Sequence, residues 1–476
     1  MAKLRHPCST GYFLDTNLIF STDNVAARLV GASASTGRSI GRVAGDPILT
    51  TKYVREHIDE IRASLAKRRS DYKLDELLEL DERWRGLRTN LQELQTRRNK
   101  ESLEISELKK GHNDIGERVK ALAEVKEAIE KAENELSDYD AKIATLLLNM
   151  PNVLHESVVY GKDETENVEV KKWGDTDKKV AMGHAEILEK MGLVDIERAA
   201  KVSGARFYYL RGDLVLLAQS LARFAIDELA KRGYTPISTP YILKRAYYRG
   251  VTGLGDFEDA LYLATSPREG MAEEGADEGE TFLIATSEHP MAAMHAGEVF
   301  SAKQLPIKYV GVSPCFRREA GAHGKDTKGI FRVHQFEKVE QFIFSNQDDS
   351  WKYYDELIGN EEALLQKLGL PYRRIEMCTG DIGVVAAKKT DLEAWFPSQQ
   401  KYRELTSASN CTDWQSLRLD IKYDEKGERK YVHTLNATGI AVQRTMAAIA
   451  ENYYNDNGTI TVPDALVPYM GKRTIG

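Results

Sequence analysis

Residues 74–150 constrain the fold of this 476-residue chain more than any other segment. They contain no proline, and apolar residues recur along them in two heptad tracks. The tracks pass through Leu77, Leu80, Trp84, Leu87, Leu91, Leu94, Ile105 and Leu108, and then through Ile115, Leu122, Ile129, Leu136, Ile143 and Met150. Heptads sustained over this length predict two helices that pack side by side. Each helix is expected to be about 50 Å long, because about 35 residues rise about 1.5 Å each.

The ends of these helices have their own signals. The segment from Gly111 to Asp114 predicts the turn between them, with Asp114 placed to start the second helix. Pro151 is expected to stop that helix, because a proline inside a helix removes a hydrogen bond and clashes with the preceding turn. Upstream, residues 51–67 predict a short amphipathic helix. We therefore predict an appended helical domain at residues 47–155.

The first helix of this hairpin is basic over half of its length. Residues 83–100 carry six basic side chains against Glu93 alone, a local balance of +5, whereas the returning helix is acidic. The basic residues are Arg83, Arg85, Arg88, Arg97, Arg98 and Lys100. One-sided positive charge on a protruding hairpin suits a phosphate backbone. Heptads by themselves equally suit a protein–protein coiled coil, and the residues alone leave both readings open.

The remainder of the chain, residues 156–476, alternates helical segments with short β-branched and aromatic segments. Helices are predicted at 218–232, 351–368 and 441–454, and strands at 307–312, 335–344, 373–376, 380–385 and 431–436. Their hairpin-like spacing predicts an antiparallel sheet flanked by helices, an α+β arrangement. No GxxxxGK[ST] or GxGxxG motif precedes a helix, so neither a P-loop nor a dinucleotide-binding fold is supported.

Composition narrows the class of protein further. Hydrophobic residues make up 42% of the chain, enough for a large core, and the net charge of −7 does not exclude nucleic acid because a basic face can be local. The four cysteines, Cys8, Cys315, Cys378 and Cys411, form no CxxC pair, which argues against a zinc site and is typical of reduced intracellular thiols. No segment approaches the roughly 18 apolar residues that a membrane helix needs.

The first 46 residues differ from the rest, with Ser and Gly concentrated between Gly31 and Gly45. We expect an extension that is poorly ordered and a cytoplasmic protein. A transit peptide is the competing reading, because arginines are scattered through the segment, although its acidic residues weaken that reading. Import into an organelle through these residues therefore stays open.

Chemistry-bearing side chains are densest in the segments 316–319 and 331–340. Both have a strand-like alternation, and side chains on neighbouring strands of one hairpin converge on one ligand. Arginine provides a planar fork that matches carboxylates and phosphates, whereas glutamate suits ammonium, hydroxyl and amino donors. The hairpin could thus bind a nucleoside triphosphate together with an amino acid. Arg444 supports this hypothesis from a distant part of the chain.

Three blocks of sequence resemble the motifs of class II aminoacyl-tRNA synthetases. Residues 233–240 resemble motif 1, Phe316–Glu319 with its returning strand resembles motif 2, and Gly439–Arg444 resembles motif 3. The helical hairpin and the segments 286–288, 331–341, 404–407, 410–413 and 434–438 are similar to those of the seryl-tRNA synthetase family. The resemblance covers roughly residues 47–470 and leaves the first 46 residues without a counterpart.

This resemblance implies a class II catalytic domain at 156–476, built on an antiparallel sheet, and a tRNA-binding arm at 47–155. It implies that L-serine and ATP form seryl-adenylate, and that the seryl group then moves to the 3′ end of tRNA(Ser), with tRNA(Sec) an open further substrate. It also implies Mg²⁺, no membrane, and a homodimer through the motif 1 proline. The six basic residues of the arm become the expected tRNA contacts.

The resemblance also assigns the site residues. ATP is expected at Arg317, Arg318, Glu319, Arg332, Val333, His334, Gln335, Phe336, Glu404, Leu405, Thr406, Ser407 and Arg444, with Mg²⁺ at Glu404 and Ser407. Serine is expected at Thr286, Ser287, Glu288, Arg317, Glu340, Asn436 and Thr438. Arg317 and Arg444 are the expected catalytic residues: Arg317 bridges the substrate carboxylate and the α-phosphate, and Arg444 lies at the base and the γ-phosphate. Thr438 stands where the family often has serine.

Other readings compete with this one. Single Glu–Arg pairs on adjacent strands are commonly surface ion pairs, and Phe336 alone could be ordinary core. The loop 321–329 is expected to meet the acceptor end of tRNA, against the alternative of a plain mobile loop. For the whole protein, the rivals are a ligase that loads a small amino acid onto another carrier and a non-catalytic paralogue. The first kind of relative lacks the long arm, and the second is expected to have lost arginines or glutamates that this chain retains.

Overall fold

The computed structural model describes residues 51–111, 114–253, 258–264, 280–319 and 328–476. The expectations placed on the first 46 residues and on residues 321–327 therefore lie outside the described residues. The α-helices are α1 Thr51–Glu56, α2 Ile58–Arg68, α3 Leu74–Lys110, α4 Gly116–Asn149, α5 His184–Lys190, α6 Ile196–Ser203, α7 Asp213–Ala230, α8 Arg245–Val251, α9 Glu288–Ala293, α10 Ser350–Lys367, α11 Trp414–Leu419, α12 Val442–Asn452 and α13 Val467–Met470.

The strands are distributed over the residues that follow α4. They are β1 Val168–Trp173, β2 Val194–Asp195, β3 Tyr209–Leu210, β4 Thr235–Ser238, β5 Ile242–Lys244, β6 Tyr262–Ala264, β7 Thr281–Leu283, β8 Val299–Ser301, β9 Ile307–Phe316, β10 Gln335–Ser345, β11 Tyr372–Glu376, β12 Lys388–Phe396, β13 Lys401–Asn410, β14 Lys422–Glu425, β15 Glu428–Tyr431, β16 His433–Ala441, β17 Ile460–Thr461 and β18 Thr474–Ile475.

The predicted helical hairpin is confirmed by α3 and α4. Heptad residues from both helices are buried between them, and the Trp84 indole donates to Asp140 Oδ1 across the hairpin over 2.7 Å. The second helix begins one residue later than Asp114 predicted, with Ile115 at the N-cap, although the Asp114 carboxylate accepts from the backbone N–H of Gly116 at 2.9 Å. The helix ends at Asn149, before Pro151. The prediction of a single helix at 51–67 is wrong in one respect, because the segment is divided at His57 into α1 and α2.

Hydrogen bonds join the root of this arm to the sheet-containing part of the chain. Asn152, which is 1% exposed, donates its side-chain amide to the carbonyls of Val385 and Cys411 at 2.9 and 2.8 Å. Arg68 donates to the carbonyls of Asn152 and Ala386 at 3.0 and 2.8 Å. The arm is thereby held directly against residues 385–386.

The main sheet has eight strands in the order β1-β11-β12-β13-β16-β10-β9-β4. All neighbouring pairs are antiparallel except β4 and β9, which run parallel. The helices α7, α10 and α12 pack on one face, where Leu221, Leu357 and Met446 join Val339 and Ile343 of β10 in one core. The α+β fold with an antiparallel sheet is thus confirmed.

Strand β10 illustrates how the sheet positions a site. Its alternate residues Val339 and Ile343 face the helical core, whereas Phe342 and Phe344 belong to a second core cluster with Tyr248 and Phe282. Side chains on a strand alternate between the two faces, so Phe336, Lys338 and Glu340 share the face of Phe342. No core side chains cover the part of this face that carries Phe336, Lys338 and Glu340, and this part forms one wall of a cavity.

Two strand predictions differ from the structure. Residues 380–385 form turns rather than a strand, because Gly383 has φ +73° and an added Cβ at Gly380 would lie 2.1 Å from the carbonyl oxygen of Lys162. Close backbone contact and a left-handed residue are incompatible with a regular ladder. The strand predicted at 431–436 spans the break at Val432, where β15 ends and β16 begins after one residue.

Candidate active site

One cavity of about 410 Å³ brings together most of the predicted site residues. Those that line it are Thr286, Glu288, Arg317, Glu319, Arg332, Val333, Phe336, Glu340, Glu404, Leu405, Ser407, Asn436, Thr438 and Arg444. They come from the ends of β9 and α12, from β10, β13 and β16, and from the start of α9. Segments separated by more than a hundred residues therefore meet at one place, as the motif order predicted.

Five predicted residues do not line the cavity: Ser287, Arg318, His334, Gln335 and Thr406. The Ser287 hydroxyl is buried against that of Ser313 at 2.8 Å, and the His334 ring lies against Phe207 with its Nδ1 2.8 Å from the carbonyl of Arg317. Arg318 and Gln335 are exposed, and Thr406 is buried beside Glu361 under the sheet. Their assigned contacts with ATP or serine are not supported by this geometry.

At one end of the cavity, motif 2 residues surround a space that suits a nucleotide. The Arg317 guanidinium lies over the Phe336 ring, 5.3 Å from its centroid, and its Nε donates to the Ala285 carbonyl at 3.3 Å. Arg332 lies 3.4 Å from the Glu319 carboxylate. Glu319 adopts φ +49°, a left-handed conformation that non-glycine residues seldom take and that is concentrated at functional sites.

Arg444, in the first turn of α12, reaches the same cavity from the other side. Its Nη1 lies 3.2 Å from both the backbone oxygen and Oε1 of Glu404 on β13. Enclosure alone raises the pKa of Glu404, but the charges of Arg444, Lys389 and Arg317 outweigh it and lower the pKa to about 2. Glu404 is therefore an ionised oxygen donor at the mouth of the cavity, with Ser407 on the same strand.

At the other end, Glu340 and Thr438 face each other across β10 and β16. The Thr438 hydroxyl donates to Glu340 Oε2 at 3.4 Å, and both side chains are buried, at 1% and 6% exposure. Glu288 lies nearby and accepts from the side-chain amides of Gln415 and Asn436 at 2.9 and 3.1 Å. These groups can receive an ammonium and a hydroxyl, the two polar groups that a small hydroxy amino acid carries besides its carboxylate.

The environment of this pocket raises the pKa values of both carboxylates. Burial, reinforced by the charge of Glu340, raises the pKa of Glu288 to about 7, against the opposing effects of Lys338, Gln415 and Arg317. Burial likewise raises the pKa of Glu340, and Lys338 opposes that shift. This end of the cavity therefore holds two acids whose pKa values burial raises, with Lys338 and Arg317 as the cations that oppose both shifts.

The expectation that Glu340 faces the incoming amine needs one refinement, because the structure gives it a partner. Lys338 Nζ lies 2.6 Å from Glu340 Oε2, and both side chains line the cavity. The acid is thus ion-paired at the cavity wall rather than within the hydrophobic core. Lys338 was not among the predicted site residues, although the alternation Phe336, Lys338, Glu340 along one strand was a signal that could have found it.

Other cavity residues were also missed. His289, whose pKa burial lowers to about 3, lies beside the two acids, and Lys389 lies 3.5 Å from Asp391 near Glu404. The turn segment 381–386 forms another wall, the same segment that the arm root holds through Asn152 and Arg68. Only distances could reveal this wall, since the segment was predicted as a strand.

The six basic residues expected to contact tRNA all lie on α3. Five are exposed and Arg98 is half-buried. Arg85 pairs with Asp81 at 2.9 Å, and the Arg88 guanidinium lies 5.1 Å from the Trp84 ring centroid, so these two also serve the arm itself. Over the described ranges, no group of three or more His, Cys, Asp or Glu is arranged to hold a metal, and no helix has the length and apolarity to cross a membrane.

Comparison with known proteins agrees with the cavity and the arm. The family described as tRNA synthetase class II core domain (G, H, P, S and T) matches residues 272–453, and the seryl-tRNA synthetase N-terminal domain matches residues 48–154. The serine–tRNA ligase of Methanoculleus marisnigri is 48% identical over 437 residues, which are 90% of this chain and 100% of that protein. That of Methanocella arvoryzae is 47% identical over 431 residues, 89% of this chain and 99% of that one.

Solved structures give the same result. The seryl-tRNA synthetase of Pyrococcus horikoshii complexed with ATP superimposes with a TM-score of 0.83 at 42% identity, covering 90% of this chain and 99% of that one. The cytoplasmic serine–tRNA ligase of Naegleria fowleri in complex with AMP gives 0.79 at 39% identity, with 90% and 98% covered. Fold and site thus define a class II aminoacyl-tRNA synthetase. Within that class, the chain belongs to the seryl-tRNA synthetase family.

Proposed function

We propose that this chain charges tRNA with serine in two steps within the one cavity. In the first, the carboxylate of L-serine attacks the α-phosphate of ATP, and pyrophosphate leaves with the electrons of the broken P–O bond. In the second, a hydroxyl of the 3′-terminal ribose of tRNA(Ser) attacks the carbonyl of seryl-adenylate, and AMP leaves. The observation that carries the proposal is the convergence of Arg317, Arg444, Glu288 and Glu340 on one cavity.

The arginines supply charge where the reaction builds it. Arg317 lies between the aromatic end and the acidic end of the cavity, the place where carboxylate and α-phosphate must meet. Its guanidinium can bind both anions, and preorganised cations at a developing charge are a large source of rate enhancement. Arg444 binds the distal phosphates and the base on the other side. The positions of these side chains support the proposal without any covalent enzyme intermediate.

Glu404 and Ser407 are the residues that would hold Mg²⁺. Glu404 is ionised and lies on one strand with Ser407 at the cavity mouth, so its chemistry fits the hard oxygen ligands that Mg²⁺ prefers. A site with two protein oxygens fits an ion that takes its remaining ligands from phosphates and water. When bound, the ion would offset the negative charge of the phosphates. Arg444 would then release Glu404 and contact the nucleotide instead.

Serine selection rests on Glu340, Thr438, Glu288 and Asn436. The serine ammonium and hydroxyl enter a pocket whose acceptors are already buried, so alanine and glycine leave an acceptor without a partner. Sites built in this way discriminate by about 10⁴-fold or more against a substrate that lacks the hydroxyl. Thr286, at the start of α9, closes the same end of the pocket.

We infer that the arm binds tRNA through the basic face of α3 and that the protein acts as a homodimer in the cytoplasm. Exposed arginines along α3 support the first inference. For the second, motif 1 forms β4, an edge strand of the main sheet with Pro236 exposed, and the neighbouring Tyr241 and Ile242 are 44% and 50% exposed. Light scattering tests the dimer. tRNA(Sec) remains a further proposed substrate of the same arm.

Charging of a tRNA(Ser) transcript with labelled serine tests the proposal as a whole. We expect serine to become acid-precipitable only when ATP, Mg²⁺ and the transcript are all present. Labelled alanine is the control, because it lacks only the hydroxyl. Absence of charging by the wild-type chain with a transcript known to be folded would overturn the proposal.

A further inference from the structure

In the Lys338–Glu340 ion pair, Glu340 has a role in the proposed reaction, but Lys338, which also lines the cavity, has none. Strand β10 presents Phe336, Lys338 and Glu340 to the cavity at alternate positions, which are about 7 Å apart along a strand. Lys338 therefore lies between the residue expected at the base and the residue expected at the serine ammonium. Its side chain is 10% exposed, and its Nζ is 2.6 Å from a carboxylate that is 1% exposed.

Two acids and two cations lie together at this end of the cavity. Glu340 and Glu288 are the acids, and Lys338 and Arg317 are the cations that act on both. A buried ion pair that loses one partner leaves an uncompensated charge, which is strongly destabilising. If the substrate ammonium binds Glu340, Lys338 needs another anion at once.

Serine brings that anion, because its carboxylate and its ammonium are attached to the same carbon atom. We propose that, in the serine activation proposed above, the zwitterion inserts into the Lys338–Glu340 pair. Glu340 takes the ammonium and Lys338 takes the carboxylate, so two ion pairs replace one and no buried charge is left alone. No bond forms or breaks in this exchange. Lys338 is then a substrate-binding residue that holds the carboxylate beside Arg317, ready for attack on the α-phosphate.

The surroundings of Glu340 define how this exchange responds to pH. The groups that face or act on it are Lys338 on its own strand, Glu288 and His289 of α9, Arg317 and Cys315 at the end of β9, Thr438 of β16, and Glu361 of α10 beneath the sheet. Lys338 is the cation in contact with it. Removing that charge leaves Glu340 protonated to a higher pH, and a protonated acid cannot pair with an ammonium.

The test is ATP–pyrophosphate exchange by the full chain carrying Lys338→Met. We expect KM for serine to rise on the order of 10- to 100-fold, the loss typical of a hydrogen bond between charged groups, while KM for ATP stays near the wild-type value. The acidic limb of the pH profile of kcat/KM for serine should move to higher pH. Lys338→Arg keeps the charge and should restore the wild-type limb.

Lys422→Met is the matched control. Lys422 is also a strand lysine with a side chain 6% exposed and an acid partner, Asp420, at 2.6 Å, but it lies outside the cavity. We expect it to lower stability without changing KM for serine or the pH limb. If Lys338→Met does not fold, Lys338→Gln, which keeps a polar group of similar reach, is measured in its place.

Equal changes in the KM values for serine and ATP, or an acidic limb that stays at the wild-type pH in the folded variant, would overturn the proposal that serine inserts into the Lys338–Glu340 pair. The same holds if the Lys422→Met control reproduces the effect. The wild-type chain separates this inference from the proposed function: without serine-dependent exchange in the wild type, the function itself fails. With normal wild-type exchange and an unaffected Lys338 variant, only the inference about Lys338 fails.

Discussion

Thr438 and Glu340 lie directly opposite each other on β16 and β10, with the threonine hydroxyl 3.4 Å from the carboxylate. The ladder shifts its register between Val339 and Glu340, so a bulge sets this pairing at the amino-acid end of the cavity. Bulges are frequent next to active sites, where they redirect a side chain. The serine hydroxyl is expected to enter between these two groups.

This pairing predicts the behaviour of substitutions at position 438. Thr438→Ser keeps the hydroxyl and should leave KM for serine close to the wild-type value. Thr438→Val keeps the shape but removes the donor, and KM for serine should rise about 10-fold or more, because hydrogen bonds to charged groups contribute about 1.5–3 kcal/mol. Pyrophosphate exchange with serine and with alanine measures both, and an unchanged serine-to-alanine preference in the valine variant would exclude Thr438 from hydroxyl recognition.

Arg317→Ala should separate chemistry from tRNA binding. Loss of the guanidinium removes the cation expected at the carboxylate and the α-phosphate, so adenylate formation should fall on the order of 10²- to 10³-fold or further. Affinity for tRNA should change little, because the basic residues of the arm are untouched. Exchange kinetics and filter binding provide the two readouts, and a variant that weakens both equally would count against the assigned role.

Shortening the arm should produce the reverse effect. Replacing residues 87–136 by a short Gly-Ser turn keeps the Trp84–Asp140 hydrogen bond and the arm root, so serine-dependent exchange should persist. Charging of tRNA should fall on the order of 10²-fold or more, because phosphate contacts dominate such binding. Equal loss of exchange and charging would contradict separate roles for the arm and the cavity.

The charge of the arm can be tested without shortening it, with substitutions on α4 as the control for substitutions on α3. Changing Arg97, Arg98 and Lys100 on α3 to serine should reduce the slope of log K for tRNA binding against log salt concentration by about 0.7–0.9 for each phosphate that the variant no longer neutralises. Changing Lys120, Lys126 and Lys131 on α4, which are all exposed, should leave the slope nearly unchanged. Similar effects from both triple variants would indicate unspecific attraction to the arm.

Glu288 predicts a pH dependence of stability. Its pKa is raised to about 7 by burial and by Glu340, whereas an unfolded glutamate titrates near its ordinary value of 4.5. Well below pH 4.5 the acid is neutral in both states and costs nothing. Between about pH 4.5 and 7 the unfolded glutamate ionises while the folded one stays protonated, so stability is lost over this interval and the loss is complete above pH 7. Glu288→Gln should therefore stabilise the protein at pH 8, on the order of 1–3 kcal/mol, and have little effect at pH 4. Chemical unfolding at both pH values measures this, with Glu298→Gln on the surface as control.

The sequence predicted the arm well, because its signal is local. Heptad spacing fixes which face of a helix is apolar, and the burial of Leu77, Trp84, Leu136 and Ile143 follows from it. The segment 380–385 could not be predicted in the same way, since its path depends on the close approach of Gly380 to Lys162. Such tertiary contacts override the local preference of β-branched residues for strands.

The residues that line the cavity were likewise predicted only in part. Motif order identified Arg317, Glu340 and Arg444, but the register of the strands decides which neighbours join them. On β13, Leu405 is an extra residue in the ladder opposite Leu392 and Glu393, so the consecutive residues Glu404 and Leu405 both line the cavity, whereas Thr406 does not. The pairing of Lys338 with Glu340 likewise depends on a distance, because a strand with alternating charges does not determine which buried acid a lysine contacts.

Whether this cavity activates serine with ATP is measured by pyrophosphate exchange with each of the twenty amino acids. We expect exchange with serine and, relative to serine, strongly reduced exchange with alanine, glycine and threonine. Exchange with alanine or glycine alone would point to a ligase that loads another carrier. No exchange with any amino acid, from a folded protein with ATP and Mg²⁺ present, would contradict the account.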